Sequence, residues 1–104
     1  MSDPIRRLYE AVLVARGEDP DESRTAKLFR DGRIKIAKKL VEEAAEVALE
    51  SSVEDRDAVI RESVDLLYNL VVLWASNGIA PSEVWHEMAD REEQLGMAEK
   101  LPKS

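Results

Sequence analysis

Acidic residues recur at short, regular spacings in two neighbouring segments of this 104-residue chain. The first segment holds Glu42, Glu43 and Glu46, and the second holds Glu62 and Asp65. On a helix, residues three or four apart lie on the same side, so each segment presents its acids as a group. Two such groups facing each other make an oxygen-rich site. Mg²⁺, with Mn²⁺ as the alternative, takes ligands of that kind. The chain has no cysteine, and its one histidine, His86, lies in a different segment. Zinc is therefore disfavoured.

The surroundings of the second pair sharpen the point. Val59 to Ala75 reads VIRESVDLLYNLVVLWA, and its charges are Arg61, Glu62 and Asp65. Glu62, Asp65 and Asn69 follow i, i+3, i+7 and line one edge, with Leu66, Leu70 and Leu73 beside it. Val64, Leu67, Val71 and Trp74 cover the rest. A helix apolar on nearly all sides is a buried one. Carboxylates on it need a partner or a metal, because an unpaired buried charge is strongly destabilising.

The 33–50 segment divides differently on a helical wheel. Ile36, Ala37, Leu40, Val41, Ala44, Val47 and Ala48 form a broad apolar face. Lys35, Lys38, Lys39, Glu42, Glu43 and Glu46 form the opposite stripe, lysines first and glutamates after. Two readings follow from these residues. In one, Glu43, Glu46, Glu62 and Asp65 hold a cation. In the other, Glu62 and Asp65 are salt-bridged to Lys38 or Lys39. Lysine before glutamate is the less favourable order for pairing within one helix, which weakens stability as the purpose of the stripe.

The elements that position these residues read as all-α. Asp3-Pro4 is a helix start, with the cap followed by proline at the first helical position. That helix is expected over about 4–16, stopping at Gly17. Residues 18–22 form a polar loop. Ser23 caps a short helix over 24–30, ended by Asp31-Gly32. A long helix covers 33–50, and Ser52 with Asp55 resembles a capping box for a second long helix reaching Ser76. Asn77-Gly78 fits a left-handed stop, and Pro81 opens a last helix to about Glu93. No useful stretch alternates apolar and polar as a half-buried strand would.

Bulk properties bound the function. The length suits one domain, spanning 1–104. Hydrophobic residues are 44% and charged residues 36%, as in a folded chain rather than a disordered one. A net charge of −7 argues against a nucleic acid polymer as partner. It leaves room for a small phosphorylated ligand, since a bound cation inverts the local sign. No leader-like apolar stretch opens the chain, and the apolar run Leu70 to Ala75 is far too short to span a bilayer. A cytoplasmic location is expected, with no membrane partner.

The spacing Glu42-Glu43-x-x-Glu46 followed by Glu62-x-x-Asp65 resembles the metal motif of the MazG-like all-α nucleotide pyrophosphohydrolases. Within that superfamily the chain is most similar to phosphoribosyl-ATP pyrophosphatases. Ser23-Arg-Thr-Ala-Lys-Leu resembles that family's Ser-Tyr-Thr-Ala-Lys-Leu. Lys35-Ile-Ala-Lys-Lys-Leu-Val-Glu-Glu-Ala-Ala-Glu is similar to its Lys-Ile-x-x-Lys-x-Gly-Glu-Glu-Ala-x-Glu. Asp65-Leu-Leu-Tyr-Asn-Leu looks like its Asp-Leu-Leu-Tyr-His-Leu, and Gln94-Leu-Gly-Met-Ala-Glu-Lys looks like its ending. Arg24, Val41 and Asn69 depart from the usual Tyr, Gly and His.

The resemblance implies Mg²⁺-dependent hydrolysis of phosphoribosyl-ATP to phosphoribosyl-AMP and pyrophosphate, in histidine biosynthesis. Glu43, Glu46, Glu62 and Asp65 would hold the metal. Glu42 would complete its shell or act as base toward the attacking water. Lys35, Lys38 and Lys39 would take the phosphates, with Arg24, Thr25, Lys27 and Asn69 adding substrate contacts. A MazG-type hydrolase acting on another nucleoside triphosphate is the alternative enzyme. A non-catalytic helical dimerisation module is the alternative outside enzymes. Tyr9, Tyr68, Trp74 and Trp85 read as core or interface residues, and His86 as an exposed histidine. The apolar 59–75 helix needs more cover than one chain offers. A four-helix core completed by a second copy is therefore expected, giving a homodimer or larger homo-oligomer around two long antiparallel helices.

Overall fold

A computed structural model describes residues 3–95 of the chain. They form five helices and, among the described residues, no strand: α1 (Pro4–Ala15), α2 (Arg24–Asp31), α3 (Arg33–Ser52), α4 (Arg56–Ser76) and α5 (Pro81–Leu95). The family-like ending over 96–100, which includes Met97, lies outside the described residues.

The starts are set by side-chain caps. Asp3 accepts from the Ile5 amide at 2.9 Å, Ser23 from Ala26 at 3.1 Å and Asp55 from Ala58 at 3.1 Å. Each satisfies one of the amides that the first helical turn leaves without a partner. The expected pairing of Ser52 with Asp55 is not what forms. Ser52 ends α3, its hydroxyl donating to the Leu49 carbonyl at 2.7 Å, and Asp55 caps α4 alone. Between them Glu54 adopts φ 59°, so the reversal uses a left-handed residue and α3 runs two residues beyond Glu50. At the far end of α4 the left-handed residue is Gly78, at φ 69°.

The short 53–55 connection folds α3 and α4 into an antiparallel hairpin, the most extensive helix pairing in the chain. α1 packs on α4, α2 packs on α3, and α5 touches α1 lightly. Val12, Leu28, Ile36, Val71, Val72 and Ala75 form the buried core, drawing on all of the first four helices. Val72 is fully buried, a placement that stabilises by about 1.5–3 kcal/mol. Tyr9, Tyr68 and Trp74 pack against this core, as expected. Trp85 is more exposed, meets Trp74 edge-on with centroids 6.0 Å apart, and donates to Asp3 at 3.1 Å. His86 is exposed.

This core occupies the end of the hairpin away from the 53–55 turn, and it corrects the wheel. On α3 the inward stripe is Ile36, Leu40, Glu43 and Val47, whereas Ala37, Val41, Ala44 and Ala48 are exposed. On α4, Ile60, Val64 and Leu67 are likewise exposed, so this helix is buried on fewer sides than its composition suggests. The reason is that α1 and α2 cover one part of the hairpin and leave the rest bare. The radius of gyration, 15.5 Å, exceeds the roughly 13 Å of a compact domain of this size. No helix among the described residues is long and apolar enough to cross a membrane.

Candidate metal and phosphate site

The hairpin register decides which acids meet. Two turns from the core layer of Ile36 and Val72, α3 offers Glu43 and α4 offers Asp65; a further turn on come Glu46 and Glu62. Oxygens of Glu43, Glu62 and Asp65 lie within 4.8 Å of one another. Glu46 lies close enough to raise the proton affinity of both Glu43 and Glu62. The structure thus clusters three of the four expected ligands and leaves Glu46 exposed at the edge of the group. Glu42 is exposed on the neighbouring flank of α3 and lies outside the three-residue cluster.

The electrostatics are those of crowded carboxylates. Burial pushes the Glu43 carboxyl above its ordinary value of 4.5, and repulsion from Glu46 and Asp65 adds to this; Lys39 pulls the other way. Glu62 is also raised, first by its hydrogen bond with Glu46, then by burial and by the charges of Glu46, Asp65 and Glu43. Glu43 is only 8% exposed, and its Oε2 is buried with no hydrogen-bond partner. A buried carboxylate with an orphaned oxygen, grouped with two further carboxylates, is what a hard cation would satisfy. The residues present therefore fit a divalent metal.

The salt-bridge reading fares worse. Among the described residues, no ion pair within 4.0 Å joins Glu62 or Asp65 to Lys38 or Lys39. Lys39 is half-buried and acts on Glu43 electrostatically, one turn before it on α3. Lys35 and Lys38 are exposed on α3, and Lys27 is exposed on α2.

Three other expected contacts take forms that the sequence did not display. Thr25 is buried, and its hydroxyl is hydrogen-bonded to the Tyr68 hydroxyl. Arg24 places its guanidinium over the Tyr68 ring, 5.0 Å from the centroid. Asn69 is 1% exposed and donates to the Asp65 carbonyl at 2.8 Å, a bond within α4. Sequence reasoning missed the burial of Glu43. Its signal was the spacing Ile36, Leu40, Glu43, Val47, which is the period of a buried face.

Known proteins resemble this chain over most of its length. A family model described as phosphoribosyl-ATP pyrophosphohydrolase matches residues 5–92. A Bradyrhizobium diazoefficiens protein named phosphoribosyl-ATP pyrophosphatase 2 is 62% identical over 104 residues, covering all of this chain and 78% of the relative. A Rhodopseudomonas palustris protein of the same name is 62% identical, covering all of this chain and 79% of its own length. An Azospirillum brasilense phosphoribosyl-ATP pyrophosphatase is 50% identical over 96 residues, 92% of this chain and 86% of the relative.

Proposed function

The chain belongs to the phosphoribosyl-ATP pyrophosphohydrolase family, and from that premise we propose that it hydrolyses phosphoribosyl-ATP to phosphoribosyl-AMP and pyrophosphate in histidine biosynthesis. The bond broken joins the α- and β-phosphates. The observation that carries the reading at the level of chemistry is the cluster of Glu43, Glu62 and Asp65 with its orphaned Glu43 Oε2. Such a transfer needs positioning and charge neutralisation more than a covalent intermediate.

Glu43, Glu46, Glu62 and Asp65 are the residues that would hold Mg²⁺, with Mn²⁺ as a substitute. When bound, the cation supplies Lewis-acid neutralisation of the phosphate oxygens. Lys39, half-buried beside Glu43, is placed to neutralise phosphate at the core-side end of the cluster. Lys35 and Lys38 extend that positive strip along α3, and Lys27 contributes from α2. Glu42, exposed next to Glu43, is our choice for the base that takes the proton of the attacking water. Asn69 holds the backbone of Asp65 in place and so sets the ligand it carries.

The working assembly in this reading is a homodimer in the cytoplasm. Its support is the bare apolar surface: Val41 and Leu49 on α3, and Ile60, Val64 and Leu67 on α4, are 43–69% exposed. A second hairpin laid on the first would cover them and complete a four-helix bundle. The decisive assay is pyrophosphate release from phosphoribosyl-ATP with and without Mg²⁺. Release that requires Mg²⁺ is expected; no release under either condition overturns the assignment.

A further inference from the structure

Tyr68 of α4 holds two consecutive residues of α2. Its hydroxyl bonds Thr25, and its ring face carries Arg24. Tyr68 stands one helical turn after Asp65, and Asn69, next to it, is bonded to the Asp65 carbonyl. The stretch that bears an acid of the site therefore also fixes the first turn of α2.

The consequence concerns the guanidinium. Arg24 is exposed, and among the described residues no carboxylate pairs with it. A cation–π contact with a ring face takes up none of a guanidinium's N–H donors as hydrogen bonds, so they stay available for an anion. Those donors match a phosphate oxyanion two at a time. Lys39 lies one turn from Glu43 toward the core, which in an antiparallel hairpin is the side on which Tyr68 follows Asp65. Arg24 and Lys39 thus stand on the same side of the acid cluster, one held by α2 and one by α3.

We infer that Tyr68 is a positioning residue that aims Arg24 as a phosphate clamp for the substrate. This rests on the proposed hydrolysis of phosphoribosyl-ATP and deepens it. The oxyanion has two sources in that substrate, the triphosphate chain and the phosphate of the added ribosyl group. Tyr68 acts through Arg24 and Thr25, so its removal raises KM and spares both kcat and cation binding at the carboxylates.

The test uses the full chain and three variants. Arg24→Gln removes the clamp, Tyr68→Phe keeps the ring but frees Thr25, and Tyr68→Leu removes both contacts. Each is assayed on phosphoribosyl-ATP and on ATP, with Mn²⁺ titrated alone and helix content checked by circular dichroism. Arg24→Gln and Tyr68→Leu are expected to raise KM about 10- to 100-fold, the range of a lost charge-assisted hydrogen bond, and Tyr68→Phe by less. The kcat and the Mn²⁺ affinity stay within about twofold. An effect on phosphoribosyl-ATP alone places the oxyanion on the ribosyl phosphate; an equal effect on ATP places it on the triphosphate. Unchanged KM in Arg24→Gln, or a fall in Mn²⁺ affinity or kcat in Tyr68→Leu, overturns the inference while leaving an active wild type unchallenged. A wild type inactive on phosphoribosyl-ATP removes the underlying assignment and the inference with it.

Discussion

Replacing Glu43 by Gln should make the protein more stable and less able to bind metal at once. In the wild type, Glu43 keeps a buried, unpartnered Oε2 among like charges. Its oxygens and those of Asp65 lie within 4.8 Å, where two unit charges repel by about 3.5 kcal/mol at an effective dielectric of about 20. Asp65 is partly exposed, and solvent screening reduces this to about 1 kcal/mol. Neutralising a desolvated oxygen adds a contribution of similar size. Without metal, Glu43→Gln should therefore gain about 1–2 kcal/mol, and each kcal/mol moves Tm by about 4–8 °C in a domain near this size.

Saturating Mg²⁺ should reverse the order. At a concentration one hundred times Kd, a bound ligand stabilises the wild type by about 2.7 kcal/mol, and the variant should gain almost none of it. The assay is thermal unfolding of both proteins at one fixed protein concentration, with chelator and with Mg²⁺. A variant less stable than wild type in chelator, yet equally stabilised by Mg²⁺, would show that Glu43 is a structural residue and that the cation lies elsewhere.

Glu46→Gln and Asp65→Asn should each reduce Mg²⁺-dependent pyrophosphate release by at least about 100-fold, the scale of lost electrostatic stabilisation at a reacting phosphate, with far-UV dichroism unchanged; near-normal turnover in either refutes its place in the site. In metal-free protein, stability should fall as pH climbs above the ordinary value of 4.5, because Glu43 and Glu62 bind their protons more tightly folded than unfolded. Unfolding temperatures between about pH 5 and pH 8 check this, and the Glu43→Gln/Glu62→Gln double variant should flatten the slope. Val64→Glu, at a residue 62% exposed in the single chain, should shift sedimentation from dimer to monomer; a wild type that sediments as a monomer refutes the assembly.

Much of this protein was legible without coordinates, and the reason is that helices are local. The caps at Asp3 and Ser23 and the glycine stop after α4 depend on residues a few positions apart, so their signals survive in sequence. The grouping of Glu43 with Glu46, and of Glu62 with Asp65, follows from the helical period alone. Residue types at that spacing also carried the family resemblance.

What sequence could not determine is how the two helices are rotated against each other, because that depends on which neighbours cover them. The wheel put Glu43 with the lysines and Val41 in the apolar face, yet packing turns Glu43 inward and leaves Val41 at 69% exposure. The choice between cation site and salt bridges was likewise a matter of register: it brings Glu43, Glu62 and Asp65 within 4.8 Å and keeps Lys38 and Lys39 out of pairing distance. The bond from Thr25 to Tyr68 spans 43 residues and has no local signature at all. The acids were written in the sequence; the orphaned oxygen that a cation would satisfy exists only once the hairpin closes.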